Sequence, residues 1–187
     1  MYLDYIYENV STETVSAASI ARGLSLGEVQ VRKDLSLVCD AGRPKIGYRT
    51  ELLLQALEGV LGVERVTPTV IVGAGKLGRA LYDFEGFSTF GIVISAAFDS
   101  RPVRIGNETK KIYPIEELHD YCRAHDIRVG VLTVPAASAQ SVCDRMVESG
   151  ITAIWNFAAC KLRVPDTVIV RNENLALSLA HLKMQLG

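Results

Sequence analysis

The sequence lacks the features by which membrane, secreted and metal-binding proteins are usually recognised. No hydrophobic run approaches the roughly 20 residues that a membrane-spanning helix needs, and the segment Met1–Asp4 has neither a basic lead nor a hydrophobic signal core. The four cysteines, Cys39, Cys122, Cys143 and Cys160, are scattered and form no Cys-x-x-Cys pair. We therefore expect reduced thiols in a cytoplasmic protein, without a disulfide framework, a metal site or a membrane anchor.

A large excess of positive charge is also missing. The 187 residues include 20 Lys and Arg side chains against 21 Asp and Glu side chains, for a net charge of −1, which argues against indiscriminate binding to nucleic acids. The segment 20–50 differs, because it holds six basic and three acidic residues. Since the distribution of charge matters more than its total, this segment is compatible with DNA binding.

Two regions with different hydrophobic periods follow one another. Residues 1 to about 61 have a helical pattern with one Gly/Pro-rich interruption at 41–48, and the boundary falls near Gly62–Pro68. After residue 69, short β-branched runs alternate with helical segments, which predicts a parallel, doubly wound sheet. The predicted strands are Thr69–Val72, Ile92–Phe98, Arg128–Val134, Ile151–Trp155 and Thr167–Val170.

Two short helices are predicted in and before the basic segment. The first starts at Ser16, and Gly23 weakens its end. The second covers Glu28–Val38 and starts either with a capping box formed by Ser25 and Glu28 or with Gly27 as its cap. One buried stripe is expected on this second helix, formed by Val31, Leu35 and Val38 at the i, i+4 and i+7 positions.

The second helix and the segment after it have the composition of a winged helix-turn-helix. The side chains that lie off the buried stripe are polar or basic: Gln30, Arg32, Lys33 and Ser36. In a helix-turn-helix the second helix enters the major groove of DNA, and the turn that carries Arg43 and Lys45 suits a wing that contacts phosphates or a minor groove. A helical hairpin with a solvated, charged face has the same pattern, so both interpretations stay open on the pattern alone.

A Gly-rich motif follows the first predicted strand and consists of Gly73, Ala74, Gly75, Lys76, Leu77 and Gly78. In this strand–turn–helix context, Gly73 permits a tight turn, Gly75 lets the backbone approach a pyrophosphate, and Gly78 permits close packing of helix on strand. The N-terminus of the helix predicted over Leu77–Phe84 would face the phosphates. The motif predicts a dinucleotide site of the Rossmann type.

An acidic residue stands where such a site needs one. Asp99 stands at the end of the second predicted strand, 21 residues after Gly78. An acid about 20 residues after the last glycine accepts hydrogen bonds from the adenosine ribose hydroxyls. An acid there disfavours a 2′-phosphate, so we expect NAD(H), although Arg101 and Arg104 lie close enough to weaken that preference. The alternative is a loop whose glycines only make the turn and whose Asp99 caps a helix.

A catalytic constellation is missing beside this motif. The histidines are His119, His125 and His181, and none follows a predicted strand, where a dehydrogenase would need its proton donor. The strand ends carry groups that bind a nicotinamide without transferring a proton: Val134, Pro135 and Ala136, then Asn156 and Phe157. The pattern therefore favours a cofactor that is sensed rather than used, and we expect no enzyme activity.

Taken in order, these segments resemble the Rex family of NADH-responsive transcriptional repressors over nearly the whole chain. The residues that carry the resemblance are 29–36, 46–48, 72–81, 96–99, 134–136 with 139–140, and 150–158. The resemblance implies a repressor that binds an inverted-repeat operator in double-stranded DNA as a homodimer and is released when NADH occupies the Rossmann domain. The alternatives are a small NAD-dependent oxidoreductase and a CoA- or nucleotide-binding Rossmann module without DNA binding.

The last segment fits the dimer that this resemblance implies, in which C-terminal helices swap onto the partner. An apolar stripe is expected there, formed by Leu175, Leu179, Leu182 and Leu186 and flanked by Leu177 and Met184. The alternative is a helix packed on its own domain, which periodicity does not exclude. Asp4 and Asn174 stand where the family usually has an Arg and an Asp that pair across domains, so we expect a changed coupling between cofactor and DNA binding.

The predicted fold class is α/β, with an N-terminal winged helix-turn-helix domain followed by a Rossmann-like doubly wound parallel sheet and a C-terminal helix swapped in a dimer. The predicted domains are a winged-helix DNA-binding domain at 1–62, a Rossmann NAD(H)-binding domain at 69–170 and a dimerisation helix at 171–187.

Overall fold

The computed structural model describes residues 1–43, 46–101 and 111–185. The chain divides into two compact units, one formed by Met1–Arg65 with Thr89–Gly91 and the other by Val66–Ser88 with Ile92–Gly187. The functional division at 1–62, 69–170 and 171–187 stays a prediction. Across the described ranges, no helix is both long and apolar enough to cross a membrane.

The first unit is a helical bundle with a small two-stranded antiparallel sheet. Its helices are α1 Tyr2–Asn9, α2 Ala17–Gly23, α3 Glu28–Val38 and α4 Thr50–Leu61. Its strands, β1 Thr14–Val15 and β2 Tyr48–Arg49, pair antiparallel. Neither strand was predicted, because two residues are too few to show an alternating pattern.

The turn between α2 and α3 settles which residue caps the second helix. Ser16 caps α2, and its hydroxyl accepts a hydrogen bond from the Ser19 amide at 3.0 Å. The capping box expected from Ser25 is wrong, because Gly27 is the N-cap of α3. Ser25 has a φ of 55°, a left-handed conformation that belongs to the turn, whereas an N-cap residue needs extended backbone.

The core of the first unit explains the direction in which α3 faces. Val31 and Leu35 are fully buried and pack in one cluster with Ile6, Ile20 and Leu53, while Val38 is partly buried at its edge. The predicted stripe is therefore confirmed. The side chains predicted to lie off it are exposed: Gln30, Arg32, Lys33 and Ser36.

The second unit is built on a parallel six-stranded sheet, which confirms the predicted fold class. Its strands are β3 Thr67–Val72, β4 Ile92–Asp99, β5 Ile112–Pro114, β6 Val129–Leu132, β7 Ala153–Asn156 and β8 Ile169–Asn172. They lie in the order β5-β4-β3-β6-β7-β8, and each pairs parallel with its neighbours. Successive strands are added towards one edge from β3 to β5 and towards the other edge from β6 to β8. The topological switch point therefore lies between β3 and β6, where doubly wound sheets bind ligands.

Helices cover both faces of this sheet. They are α5 Lys76–Asp83, α6 Leu118–Ala124 and α7 Ala136–Glu148, with short 3-10 helices at Glu85–Phe90 and Ile115–Glu117. The last helix, α8 Leu175–Met184, has no buried residue. Alternate residues of β3 enter different clusters, since Val70 and Val72 pack in one and Ile71 in another, all fully buried. A strand buried on both faces is typical of a parallel sheet.

Several predicted limits in this unit are corrected by the structure. The strand predicted at Arg128–Val134 ends at Leu132, so residues 133 and 134 lie beyond the sheet, and the strands predicted from Ile151 and Thr167 each start two residues later. The three-residue edge strand β5 was not predicted, and it leads into the 3-10 turn Ile115–Glu117 that precedes α6. Short edge strands carry little periodicity, which is why the sequence does not show them.

Candidate cofactor site and DNA interface

A cavity of about 260 Å³ lies at the carboxyl ends of β3, β4 and β6, at the topological switch point of the sheet. Five residues predicted to bind a cofactor line it: Gly73, Gly75, Asp99, Val134 and Pro135. The other lining residues are Val72, Ser100, Ile115, Thr133, Ser138 and Val142. The fold thus brings the Gly-rich loop, the acid after β4 and the loop after β6 to one place.

The three glycines of the motif meet three different surroundings. Gly73 has a φ of +107°, which favours glycine. A Cβ added at Gly78 would lie 1.9 Å from the carbonyl oxygen of Gly73, so that position is closed to any side chain. A Cβ at Gly75 would meet nothing within 4 Å. Gly73 and Gly78 therefore shape the loop, whereas Gly75 leaves room for a group from outside.

Two helices begin at this cavity without side-chain caps. Gly75 is the N-cap of α5 and Pro135 is the N-cap of α7, and neither makes a side-chain capping hydrogen bond. Lys76 and Leu77 open α5, and Ala136 opens α7, with all three exposed. Because the first amides of a helix point outward with a positive partial charge, two such ends favour an anionic ligand such as a pyrophosphate.

Asp99 is held by the backbone of the loop that it faces. Its Oδ2 accepts a hydrogen bond from the Ala74 amide at 2.7 Å, and its Oδ1 accepts one from the Arg101 amide at 2.8 Å. A carboxylate has about four lone-pair positions, so it still has capacity to accept bonds from ribose hydroxyls. Arg101 is exposed, and Arg104 lies outside the described residues.

Thr133 positions the Gly-rich loop, a role that the sequence did not predict. Its hydroxyl donates to the carbonyl oxygen of Gly73 at 2.6 Å, which ties the loop after β6 to the loop after β3. Ser100 and Ser138 also line the cavity. Their position directly after a strand or in the first turn of a helix was the available signal, but the strand predicted through residue 134 concealed it for Thr133.

Asn156 has an internal role instead of an open one. It is fully buried, its Nδ2 donates to the Cys160 carbonyl at 3.0 Å and to Asn172 Oδ1 at 2.8 Å, and its Oδ1 accepts from the Ala158 amide at 2.9 Å. The expectation that its side chain contacts a cofactor gains no support from this geometry. The bonds instead fix the loop that starts at Phe157 and join it to the end of β8.

Replacing Asn156 by Ala should destabilise the second unit markedly. The Ala158 amide would lose its buried acceptor and the Cys160 carbonyl its donor, and an unsatisfied buried polar group costs about 1–3 kcal/mol. Urea unfolding followed by circular dichroism measures the loss. The matched control is Asn172→Ala, which removes one of the three bonds at an exposed position and should cost less. Equal stability of the two variants would contradict this role for Asn156.

Phe157 belongs to a row of four aromatic rings on the second unit, formed by Phe84, Phe87, Trp155 and Phe157. Successive ring centroids in this row lie 5.0, 6.0 and 4.4 Å apart, each pair edge to face. Phe84 is 58% exposed, so the row opens onto solvent in the single chain. Phe157 does not line the cavity and stays a prediction as a cofactor contact, together with Ala74, Lys76, Leu77, Gly78 and Ala136.

A groove of about 570 Å³ lies on the first unit, between α2, α3 and the segment that leads into β2. Arg32 of α3 and Arg43, which precedes β2, both line it. Gly47 has a φ of +89°, and a Cβ there would lie 2.4 Å from the Val15 carbonyl oxygen, so the chain just before β2 packs tightly on β1. Two cations on different elements therefore border one groove, as expected for a helix and a wing on one DNA face.

The exposed side chains of α3 have local partners. Arg32 forms an ion pair with Glu28 one turn earlier, Gln30 donates to Asp34, and the Ser36 hydroxyl donates to the Lys33 carbonyl. A surface pair of this kind is worth less than about 1 kcal/mol, so DNA phosphates compete with it readily. Lys45, predicted for the wing, lies outside the described residues.

The three histidines lie away from the cavity. His119 lies on α6, His125 follows that helix, and His181 lies on α8, and all three are exposed. In the parts of the chain that the structure describes, no group of three or more His, Cys, Asp or Glu side chains is arranged to hold a metal ion.

Comparison with known proteins identifies the family. A CoA binding domain family model matches residues 64–160. The Redox-sensing transcriptional repressor Rex of Syntrophomonas wolfei is 42% identical over 188 aligned residues, covering 100% of this chain and 89% of the relative. The Rex of Treponema denticola is 39% identical, covering 94% and 84%. The chain belongs to the Rex family.

Solved structures of a Rex-family repressor agree with this assignment. A crystal structure of RSP in complex with beta-NAD+ and operator DNA has a TM-score of 0.88 at 31% identity, over 99% of this chain and 86% of that one. A structure of RSP with beta-NADH has a TM-score of 0.85 over 99% and 87%. These relatives are named as transcriptional repressors, which confirms the prediction that the protein is not an enzyme.

The two residues that depart from the Rex pattern have local partners. The Asp4 carboxylate pairs with the N-terminal ammonium group at 2.6 Å. Asn174 caps α8, and its Oδ1 accepts from the Leu177 amide at 2.9 Å. Asn is among the best N-caps, so the change from the family's usual Asp keeps the cap and removes the charge.

Proposed function

We propose that this Rex-family chain is a redox-sensing transcriptional repressor that binds operator DNA as a homodimer and releases it when NADH occupies the second unit. The observation that carries the proposal is the match of 99% of the chain to a Rex-family repressor whose structures include complexes with beta-NAD+ and operator DNA and with beta-NADH. A protein with these ligands would act in the cytoplasm.

The residues around the cavity fit a dinucleotide. Gly75 leaves backbone open to a pyrophosphate, the uncapped starts of α5 and α7 favour its charge, and Asp99 would accept from the adenosine ribose. NAD(H) supplies a reversible hydride pair, whose balance reports the redox state. The protein's own part is to bind one form better in the DNA-free state, since a ligand shifts an equilibrium only through differential affinity.

The first unit would supply the DNA contacts. In a helix-turn-helix the second helix enters the major groove, and a two-fold dimer places two such helices on an inverted repeat. We assign Gln30, Arg32, Lys33 and Ser36 of α3 to base edges and nearby phosphates, and Arg43 and Lys45 to the wing. Asp4 and Asn174 cannot form the opposite-charge pair usual in the family, so we expect a different coupling between the units.

CoA binding is the second candidate, because residues 64–160 match the CoA binding domain family model. A ligand that binds only the folded state raises its apparent stability. Thermal-shift measurements with NADH, NADPH and CoA therefore separate the candidates. We expect NADH to give the largest shift and Asp99→Ala to reduce it. A larger shift with CoA would overturn the cofactor assignment.

Operator binding should weaken as the ratio of NADH to NAD+ rises. The measurement is fluorescence anisotropy of an inverted-repeat duplex selected by the protein from a random pool, titrated at fixed salt because phosphate contacts are salt-dependent. Arg32→Ala and Lys33→Ala should each cost about 1–3 kcal/mol of operator binding where they contact a base edge. DNA affinity that stays constant across the ratio, while NADH still binds, would refute the sensing role.

A further inference from the structure

A chain of hydrogen bonds connects the first helix to the exposed face of α3. The Tyr2 hydroxyl donates to Asp34 Oδ2 at 2.5 Å across 32 residues of sequence. The other oxygen of the same carboxylate, Oδ1, accepts from Gln30 Nε2 at 2.6 Å. Both oxygens of Asp34 therefore have a partner, and the carboxylate is held from two sides.

We propose that Tyr2 is a positioning residue for DNA recognition, which acts through Asp34 to set the orientation in which Gln30 meets the bases. The inference rests on the proposed function, because it requires α3 to enter the major groove. It adds a residue from another helix, outside the helix-turn-helix, to the recognition surface.

Asp34 determines which end of the Gln30 amide faces it. An ionised carboxylate only accepts hydrogen bonds, so the amide nitrogen of Gln30 must face Asp34 and its Oε1 must point elsewhere. The nitrogen has two N–H groups, and one remains after the bond to Asp34. A free N–H beside a free carbonyl oxygen is the pair with which Gln binds N7 and N6 of adenine. The bond to Asp34 thus prepares the amide for a purine edge.

The hydrophobic core of the first unit holds the Tyr2 side chain in place. Its ring packs against the buried cluster of the first unit, so its hydroxyl has a fixed origin. The hydrogen bond to Asp34, together with burial and the negative charge of Asp34, raises the pKa of Tyr2 to about 12. The hydroxyl therefore stays protonated, and remains a donor, throughout the physiological range of pH.

This contact differs from the others made by exposed residues of α3. Arg32 pairs with Glu28 and Ser36 bonds to the Lys33 carbonyl, so both partners lie on α3 itself and move with it. Tyr2 lies on α1, so its bond relates the α3 side chains to the rest of the unit. A long side chain that is fixed before binding loses less conformational freedom on binding.

The test compares base discrimination by the full chain and its variants. An operator duplex is first selected from a random pool by the unmodified protein, and every base pair of one half-site is then exchanged in turn. Gln30→Ala identifies the base pair whose exchange no longer matters. Tyr2→Phe should lose most of the discrimination at that same base pair and about three- to tenfold in affinity for the selected operator, with the salt dependence unchanged because no phosphate contact is lost.

Tyr7→Phe is the matched control. Tyr7 also lies on α1 and its hydroxyl donates to the carboxylate of Glu58, but the contact does not involve α3. The Tyr7→Phe variant should leave discrimination at every base pair unchanged. Thermal unfolding of both variants separates a loss of stability from a loss of recognition. Unchanged discrimination in Tyr2→Phe, or a loss that is equal for selected and random duplexes, would overturn the inference. Failure of the unmodified chain to select any duplex would overturn the proposed function instead.

Discussion

Replacing Gly75 by Ala should weaken NADH binding while leaving the fold intact, and replacing Gly78 by Ala should damage both. A Cβ at Gly75 meets nothing within 4 Å, and the position has a φ of −70° that any residue adopts, so the chain itself accepts the change. The added methyl group would stand where a pyrophosphate must approach the backbone. Forcing a methyl group into a close contact costs about 1–3 kcal/mol, which corresponds to about a 5- to 150-fold loss of affinity.

Gly78 is expected to respond differently because its neighbour is backbone. A Cβ there would lie 1.9 Å from the Gly73 carbonyl oxygen and 2.8 Å from the Thr133 hydroxyl, so the loop between β3 and α5 must shift before any ligand binds. Thermal unfolding and NADH titration by fluorescence are measured on each variant. Gly59→Ala, at a helical position where a Cβ also meets nothing within 4 Å, is the control and should bind NADH normally.

Two outcomes would contradict this interpretation of the loop. Gly75→Ala with undiminished NADH affinity would mean that the phosphates do not approach that backbone. Gly78→Ala with an unchanged melting temperature would mean that the contact with Gly73 relaxes freely. The contrast between the two glycines separates a position needed by the ligand from one needed by the fold.

The elements that the sequence predicted well are those with a strong local signal. The buried stripe of Val31 and Leu35 gave the limits of α3, and the turn chemistry of the Gly-rich motif placed the cavity. The number of residues between Gly78 and Asp99 also predicted correctly that Asp99 reaches the cavity. A strand, a turn and a helix of ordinary length allow little variation in that number. Each of these features depends on a segment of about 30 consecutive residues or fewer, the size of a βαβ unit.

The features that the sequence did not predict depend on contacts between distant residues. Asn156 is the last residue of β7, at the ligand edge of the sheet, where an amide serves equally well as a ligand contact or as an internal group that fixes a loop by hydrogen bonds. Its burial and its bond to Asn172 favour the internal role. Neither feature can be predicted from the neighbouring sequence. The same applies to Tyr2 and Asp34, which lie 32 residues apart, and to strands β1 and β2, whose pairing spans the whole helix-turn-helix.

The apolar stripe predicted for the terminal helix α8 is correct in part. Leu175, Leu179 and Leu182 lie on one face, as expected, but at 100° per residue Leu177 and Met184 fall on the opposite face and do not flank the stripe. All five side chains are at least half exposed, and Leu186 lies outside the described residues. The alternative of a helix packed on its own domain is therefore not what the structure has.

Replacing Leu179 by Glu should convert the dimer into monomers and abolish tight operator binding. An isolated helix of ten residues is marginal in water, and one that is apolar on two faces needs cover on both. In the proposed dimer that cover comes from the second copy, so a buried Glu would carry an uncompensated charge. Sedimentation equilibrium measures the association, and fluorescence anisotropy measures operator affinity.

The loss of operator affinity should be large because the two half-sites are bound by one dimer. Joining two binding modules raises avidity by about 10²- to 10⁴-fold, so a monomer should lose at least about a hundredfold in affinity for an inverted repeat. Leu177→Glu, on the opposite face, should have a similar effect. Gln185→Glu adds the same charge at the end of α8 and should change neither association nor DNA binding. A Leu179→Glu variant that stays dimeric and binds the operator normally would place the dimer interface elsewhere on the chain.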